Sequence, residues 1–418
     1  MAHLEARKHI SPDSGFPITL HPAFNPKINS HQPPEPVRDE VFPEKDRAFF
    51  ADPEKRSLLS VAKRVDLTES IGTVLENVQL SQLNDKQLDE LALLVVERGV
   101  IFFRNQDLTT EQQVKLFEHY GVLDRHPAQK DQRTPVMDEL YHQREPGRSS
   151  RDPLLYTLGD FHADTSFEIN RKVHSLQTLW RRADECIPEA PSYSLLRMEE
   201  HPDVGGDTAW VSQYGLYDAL SKAMRSFLDG LHAVHTSRLQ YDTILDLWGV
   251  GPNRPPIDTH HPAVRTHPVS GLKALNVNPG FVTGFAELKK KESDKLLEFL
   301  DYHIHSADDH YVRWKWAVGS VAMWDNRCTL HRVIPGTYEG PRKGIRTTVF
   351  GEKPYFDPAS ESRNERALRL EEAATSGSAE GDKAAKSDKV TERFLHLPSS
   401  PTSPFCSHKD NATPEIRI

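Results

Sequence analysis

Three residues of this chain have the types and the potential convergence to hold a divalent metal ion. His162 and Asp164 stand two apart in Phe161-His162-Ala163-Asp164-Thr165. On an extended segment residues i and i+2 face the same way, so this imidazole and this carboxylate can meet at one ion. A third ligand has to come from elsewhere, and the candidate is His331, closing Trp324-Asp325-Asn326-Arg327-Cys328-Thr329-Leu330-His331. Two histidines and one carboxylate on one face of an octahedron, with the remaining positions open, form the ligand set of non-heme Fe(II) oxygenases. A zinc hydrolase could use the same donors. The H-x-D triplet alone is weak: in a chain with 21 histidines, a histidine hydrogen-bonded to an aspartate on a strand surface is the commoner account.

The elements that must position these residues read as many short strands with added helices. Asn84-Asp85-Lys86-Gln87 reads as a capping box, with Leu88, Leu91, Ala92 and Val95 at helical spacing up to Gly99. Val100-Ile101-Phe102-Phe103 reads as a buried strand, and Thr110-Glu111-Gln112-Gln113 repeats the cap signal for a helix running to Gly121. Residues 128–158, polar and rich in Pro and Arg, predict a long loop beside a site. Further strands are expected over 192–198, 208–211, 275–278, 312–316, 320–324 and 345–350, and helices over 216–231 and 286–305. Leu296, Leu297 and Leu300 would face inward on the second of these helices. Short strands punctuated by Gly and Pro, with helices outside, favour a mainly β fold with a double-stranded β-helix (jelly-roll) core over a parallel α/β sheet.

Composition bounds the partners. A net charge of −9 without a Lys/Arg-rich block argues against nucleic acid. Cys186, Cys328 and Cys406 are far apart, as in a reducing compartment without structural disulfides. The N-terminal stretch lacks an apolar signal region, and no apolar run approaches membrane-spanning length. A cytoplasmic protein with a small-molecule partner, no nucleic acid and no membrane contact is expected, and homo-oligomerisation stays open. Residues 1–60 read as an extended or disordered arm, part of it free to drape over the core, residues 61–373 as the catalytic domain and 374–418 as a disordered tail.

Between about Val65 and Pro354 the chain resembles the taurine dioxygenase family (TauD/TfdA-like) of Fe(II)/2-oxoglutarate-dependent dioxygenases. The resemblance rests on the H-x-D pair, the Trp324-Asp325-Asn326-Arg327 context of His331, and Arg342 and Arg346 downstream of that histidine. It implies the jelly-roll fold, Fe(II) held by His162, Asp164 and His331, and 2-oxoglutarate and O2 as cosubstrates. Thr208, in Gly205-Gly206-Asp207-Thr208, would contact the far carboxylate of 2-oxoglutarate and Arg342 would clamp it. A guanidinium suits that role because its paired donors lie in one plane and match a carboxylate. Arg346 would lie near the other carboxylate and the substrate anion, and His126 matches a position where members taking sulfonates bind that anion. The implied reaction is hydroxylation of a small organic anion, such as a sulfonate like taurine, with release of sulfite and an aldehyde. Alkyl sulfate, aryloxyalkanoate and xanthine are the alternative substrates within the family, and a catalytically impaired member that only binds is the alternative to an active enzyme.

Taken singly, the residues have plainer readings. Arg342 and Arg346 could be surface ion pairs, Thr208 a strand threonine, His126 a turn histidine before proline, and Asn278 core support. Trp314, Trp316 and Trp324 suit barrel packing, Cys328 and Met323 suit space filling, and His260-His261 and His303-Ile304-His305 could mimic metal ligands, the latter at a helix end without a carboxylate in register. Phe161 stands where the family has tryptophan. The stretch from His162 to Thr208 exceeds the family pattern by about the length of residues 170–189. Those residues read as an insertion: either a loop over the site's mouth or translated non-coding sequence, which sequencing of the mature transcript would separate.

Overall fold

Alternation along the strands decides which side chains meet in this molecule. A computed structural model describes residues 45–123, 138–142, 191–236, 238, 258–334 and 342–387. In chain order the first elements are β1 (Lys63–Asp66), β2 (Thr73–Glu76), α1 (Asp85–Arg98), β3 (Val100–Phe103), α2 (Thr110–Glu118) and β4 (Asp138–His142). Then come β5 (Pro191–Glu200), β6 (Thr208–Ser212), α3 (Gln213–Asp218), α4 (Lys222–Leu228), β7 (His232–Thr236), β8 (Asp258–Pro262) and β9 (Val264–Thr266). The last are β10 (Lys273–Leu275), β11 (Val282–Phe285), α5 (Lys290–His305), β12 (Tyr311–Trp314), β13 (Val321–Asp325), β14 (Thr329–Val333), β15 (Arg342–Phe350) and α6 (Arg363–Ser387). Two compact units divide at Arg366/Ala367, and all the strands belong to the first.

The large sheet of the first unit has the order β1-β2-β3-β13-β5-β15-β4, and a smaller one the order β12-β6-β14. On β3, Ile101 and Phe103 pack on the side of α1 and α2, with Leu91, Val95 and Phe117. Val100 and Phe102 point the other way, into a core shared with Trp210 of β6 and Val312 and Trp314 of β12. β13 alternates likewise, Val321 and Met323 toward the helices and Ala322 and Trp324 toward the aromatic core. On the small sheet Ala209, Val211 and Leu330 face outward onto Leu216, Leu228, Leu296 and Leu300 of α3, α4 and α5. Two sheets thus enclose an aromatic interior, in which Phe102 stacks on Trp314 at 4.3 Å between ring centroids and meets Trp210 edge-on at 5.3 Å.

Local chemistry sets the element ends. The Asn84/Gln87 capping box opens α1 as the sequence predicts, and Gly99 ends it at φ +73°, where a Cβ would lie 2.8 Å from Cγ2 of Thr329. For α2 the box is Thr109 with Gln112, one residue before the expected start. Gln113 is instead buried and donates to the Ile345 carbonyl and the Thr347 hydroxyl, tying α2 to β15. The helix expected over 216–231 is two helices, because the Ser221 hydroxyl accepts from the Met224 N–H and starts a new one. The strand expected over 275–278 stops at Leu275, since Asn276 donates its side-chain amide to the Pro262 carbonyl and Asn278 turns the chain by accepting from the Gly280 N–H.

Three expectations are corrected. Residues 128–158 contain β4, whose backbone extends the large sheet by pairing with Arg342–Arg346. The N-terminal arm is folded from residue 45: a 3-10 turn at Arg47–Phe50 and a helical turn at Arg56–Leu59 bury Ala48 and Leu58 in the helix-side core. The stretch beyond residue 374 is helical to Ser387, where Ala379, Glu380, Lys383, Ala384, Ala385 and Lys386 favour a helix against Gly377 and Gly381.

Candidate active site

β14 carries His331 into the aromatic interior by alternation alone. Leu330 faces the outer helices, so its neighbour faces inward, where the His331 ring lies 5.0 Å from that of Trp324 and 6.4 Å from that of Trp210. His331 pairs in register with Trp210 on β6. Two residues before that tryptophan, on the same face, Thr208 is buried, and its hydroxyl accepts a hydrogen bond from Trp316 Nε1 at 2.9 Å. The preceding Asp207 accepts from Arg313 Nε at 2.7 Å, and its carbonyl accepts from the Ile334 N–H. Arg346, half-buried, pairs in register with Leu196, a member of the aromatic core, so it lies on the inner face of β15. Arg342 opens β15, and its backbone pairs with His142. His126, His162, Asp164 and the segment 170–189 lie outside the described residues.

The motif before His331 has its own structural work. Trp324 Nε1 donates to the Asn326 side-chain oxygen, and the Asn326 amide donates to the Ser192 carbonyl and the Ser194 hydroxyl, all buried. The Asp325 N–H reaches the Gly99 carbonyl, and the Thr329 hydroxyl donates back to the Asp325 carbonyl. The β13–β14 turn is thereby fixed to β5 and to the end of α1, which sets where β14 begins.

Asp325, odd-numbered like Val321 and Met323, faces the helix side of the sheet and anchors a buried ionic cluster. Its carboxylate accepts from the N–H, Nε and Nη2 of Arg327 and from His267 Nε2 at 2.7–3.0 Å. His267 Nδ1 accepts from the Val269 and Ser270 N–H groups, so the ring proton sits on Nε2. Burial pushes the His267 imidazole below its ordinary range, with the Arg327 charge adding to that against the pull of Asp325. Burial opposes ionisation of Asp325, but the Arg327 guanidinium and the His267 N–H outweigh it and hold the carboxyl far below its usual range. Arg327 stacks over Tyr193 at 4.7 Å and donates Nη1 to Asp46 at 2.7 Å; Asp46 also accepts from the Tyr193 hydroxyl and caps the 3-10 turn.

His267, Asp325 and Cys328 bring potential ligand atoms within 4.8 Å of one another, yet this is not a metal site in waiting. Both carboxylate oxygens and the imidazole acceptor are already spent, and burial pushes the Cys328 thiol well above its usual range. Sequence reading reached Cys328 as filler but missed His267 and Asp46, which carry no local signature. Of the other candidates, His303 Nε2 bonds the Leu216 carbonyl and His305 Nδ1 the Asp301 carbonyl, which accounts for both structurally. Trp316 is more than packing, since it addresses Thr208 directly.

The interior also passes a test for an anionic cosubstrate. Thr208 is 3% exposed, and its hydroxyl makes no hydrogen bond among the described residues besides the one it accepts from Trp316. A buried hydroxyl with its proton uncommitted costs about 1–3 kcal/mol, and a carboxylate oxygen would satisfy it. The inner face of the small sheet also carries an imidazole, His331, and the inner face of the large sheet a guanidinium, Arg346, the group types that a metal ion and a second carboxylate require.

Comparison with known proteins agrees. The profile of the "Taurine catabolism dioxygenase TauD, TfdA family" matches residues 63–348, and the chain belongs to that family. An alpha-ketoglutarate-dependent sulfonate dioxygenase of Saccharomyces cerevisiae is 33% identical over 299 residues, covering 70% of this chain and 67% of the relative. An alpha-ketoglutarate-dependent sulfate ester dioxygenase of Pseudomonas putida is 29% identical over 296 residues, covering 68% and 88%. The crystal structure of a taurine dioxygenase from Burkholderia xenovorans matches with a TM-score of 0.56 at 28% identity, covering 72% of this chain and 93% of that one. The two sheets are therefore the jelly roll of this dioxygenase family, with helices added. Among the described residues no helix is long and apolar enough to cross a membrane.

Proposed function

We propose that this member of a 2-oxoglutarate-dependent dioxygenase family is an oxidoreductase that hydroxylates a small organic anion, foremost a sulfonate such as taurine. The observation that carries the reading is the placement of His331, Thr208 and Arg346 on the interior faces of the two sheets, with the buried Thr208 hydroxyl proton uncommitted among the described residues. His162, Asp164 and His331 would hold Fe(II), and Thr208 and Arg342 the far carboxylate of 2-oxoglutarate. Arg346 would serve the near carboxylate and the substrate anion, with His126 a second contact to that anion. When bound, Fe(II) with 2-oxoglutarate supplies O2 activation coupled to decarboxylation of the cosubstrate to succinate and CO2. The protein's own part is to fix the cosubstrate, present one C–H bond and exclude water, for which the aromatic lining of Trp210 and Trp324 is suited. A hydroxyl placed on the carbon bearing a sulfonate gives an adduct that collapses to an aldehyde and sulfite.

The substrate class has support in the names of the relatives, one acting on sulfonates and one on sulfate esters; alkyl sulfates, aryloxyalkanoates and xanthine are the second choices. We take residues 61–373 as the catalytic domain of a cytoplasmic enzyme with no nucleic-acid or membrane partner. The test is succinate release by purified protein given Fe(II), ascorbate and 2-oxoglutarate with each of these compounds in turn; silence across the panel would sink the enzyme reading. His331→Ala should lose Fe(II) binding with its fold intact. Arg342→Ala should instead weaken 2-oxoglutarate about 10- to 100-fold, the loss of a charge-assisted pair. Unchanged Fe(II) affinity in His331→Ala, read by equilibrium dialysis, would remove that residue from the metal site.

A further inference from the structure

We infer that Trp316 is a positioning residue for the cosubstrate, committing the Thr208 hydroxyl proton to a carboxylate oxygen. The inference rests on the reading above, in which Thr208 contacts 2-oxoglutarate. An indole N–H can only donate, so at 2.9 Å from Trp316 Nε1 the Thr208 oxygen is the acceptor. A strand threonine is otherwise free to turn its proton toward a nearby backbone carbonyl, a competing bond that would leave only lone pairs facing an anion. With one lone pair occupied by the indole, the proton is directed away from Trp316. An N–H donating to an O–H that itself donates onward also polarises that hydroxyl and strengthens its bond to an anion.

The surroundings leave hydroxyl rotation as the freedom to be fixed. Thr208 pairs in register with Trp314 on one side and Val333 on the other, and Asp207 before it is held by Arg313. Trp316 is 2% exposed and lies in the connection from β12 to β13, its ring 6.3 Å from that of Trp210. Its bulk thus belongs to the aromatic core, while its N–H reaches Thr208.

The experiment is calorimetric titration of 2-oxoglutarate into the full-length protein loaded with Zn(II), for wild type, Trp316→Phe, Thr208→Val and the double variant. Removing the N–H while keeping an aromatic ring should raise the dissociation constant about three- to tenfold, the worth of one hydrogen bond. The metal affinity should not move, and in turnover KM for 2-oxoglutarate should rise while kcat at saturation stays near wild type. Once Thr208 is valine, Trp316→Phe should have no further effect on 2-oxoglutarate. Independent, additive losses would overturn the inference and leave the Thr208 reading standing, as would wild-type affinity in a folded Trp316→Phe. Unchanged affinity in Thr208→Val would remove both. Should Trp316→Phe fail to fold, the indole 15N–H resonance of Trp316 in wild type, assigned through its contact with Thr208, replaces it: a shift on adding 2-oxoglutarate supports the inference, and a resonance that stays put overturns it.

Discussion

Two polar clusters lie on opposite faces of β13, and they differ in what their hydrogen bonds are spent on. On the helix side, Asp325, His267, Arg327 and Asp46 use their capacity on one another. Toward the aromatic interior, Thr208 keeps a buried proton uncommitted among the described residues, on the same inner face as His331. By residue type the first looks more like a metal site, with its histidine, carboxylate and thiol close together. Saturation, not composition, separates a scaffold from a place for a ligand. The instructive exception is Arg265, which is buried and bonded to Glu352 yet keeps Nε and Nη1 without a partner among the described residues.

If the helix-side cluster is scaffold, breaking it should cost stability first. Arg327→Ala leaves the buried Asp325 and the part-buried Asp46 without their guanidinium and should cost about 3–5 kcal/mol, read as a lower urea midpoint; a loss below about 1 kcal/mol would show that the cluster is not saturated in solution. Asp46→Asn removes one charged acceptor from Arg327 and Tyr193 and should cost about 1–3 kcal/mol, tying residue 46 to a fold whose family match begins at residue 63. His267 is held neutral by burial, so its folded pKa lies below its unfolded one and the unfolded chain binds the extra proton. Its stabilisation is therefore present above the ordinary histidine value of about 6.5 and lost as pH falls below it. His267→Gln should flatten that limb of Tm against pH and leave the Fe(II) stoichiometry unchanged; a lost equivalent of metal would reverse the roles of the two clusters. The smallest change is expected for Arg265→Met, within about 1 kcal/mol of wild type, because an under-satisfied buried charge gives way to an apolar chain of similar length.

How much of this was legible beforehand depends on the range of the forces involved. The Asn84 box and its Gly99 stop were readable because both ends of those interactions lie within a few residues. The cap of α2 was misplaced by one residue because Gln113 resembles a box partner, and only its reach to Ile345 and Thr347 shows otherwise. Trp324-Asp325-Asn326-Arg327 was recognisable as a pattern, but its role in bracing the turn before His331 depends on Ser192, Ser194 and Gly99.

The sequence by itself determined the residue types that can bind metal and dicarboxylate, the alternation that aims them, and the family. Those are matters of chemistry and of period-two geometry, which travel with the chain. Tertiary structure alone decided which polar groups are already satisfied. That is why His267 with Asp325 and Cys328 is scaffold, and why Thr208, steered by Trp316, has a proton to give: hydrogen-bond saturation depends on partners brought from distant strands, and no local pattern encodes it.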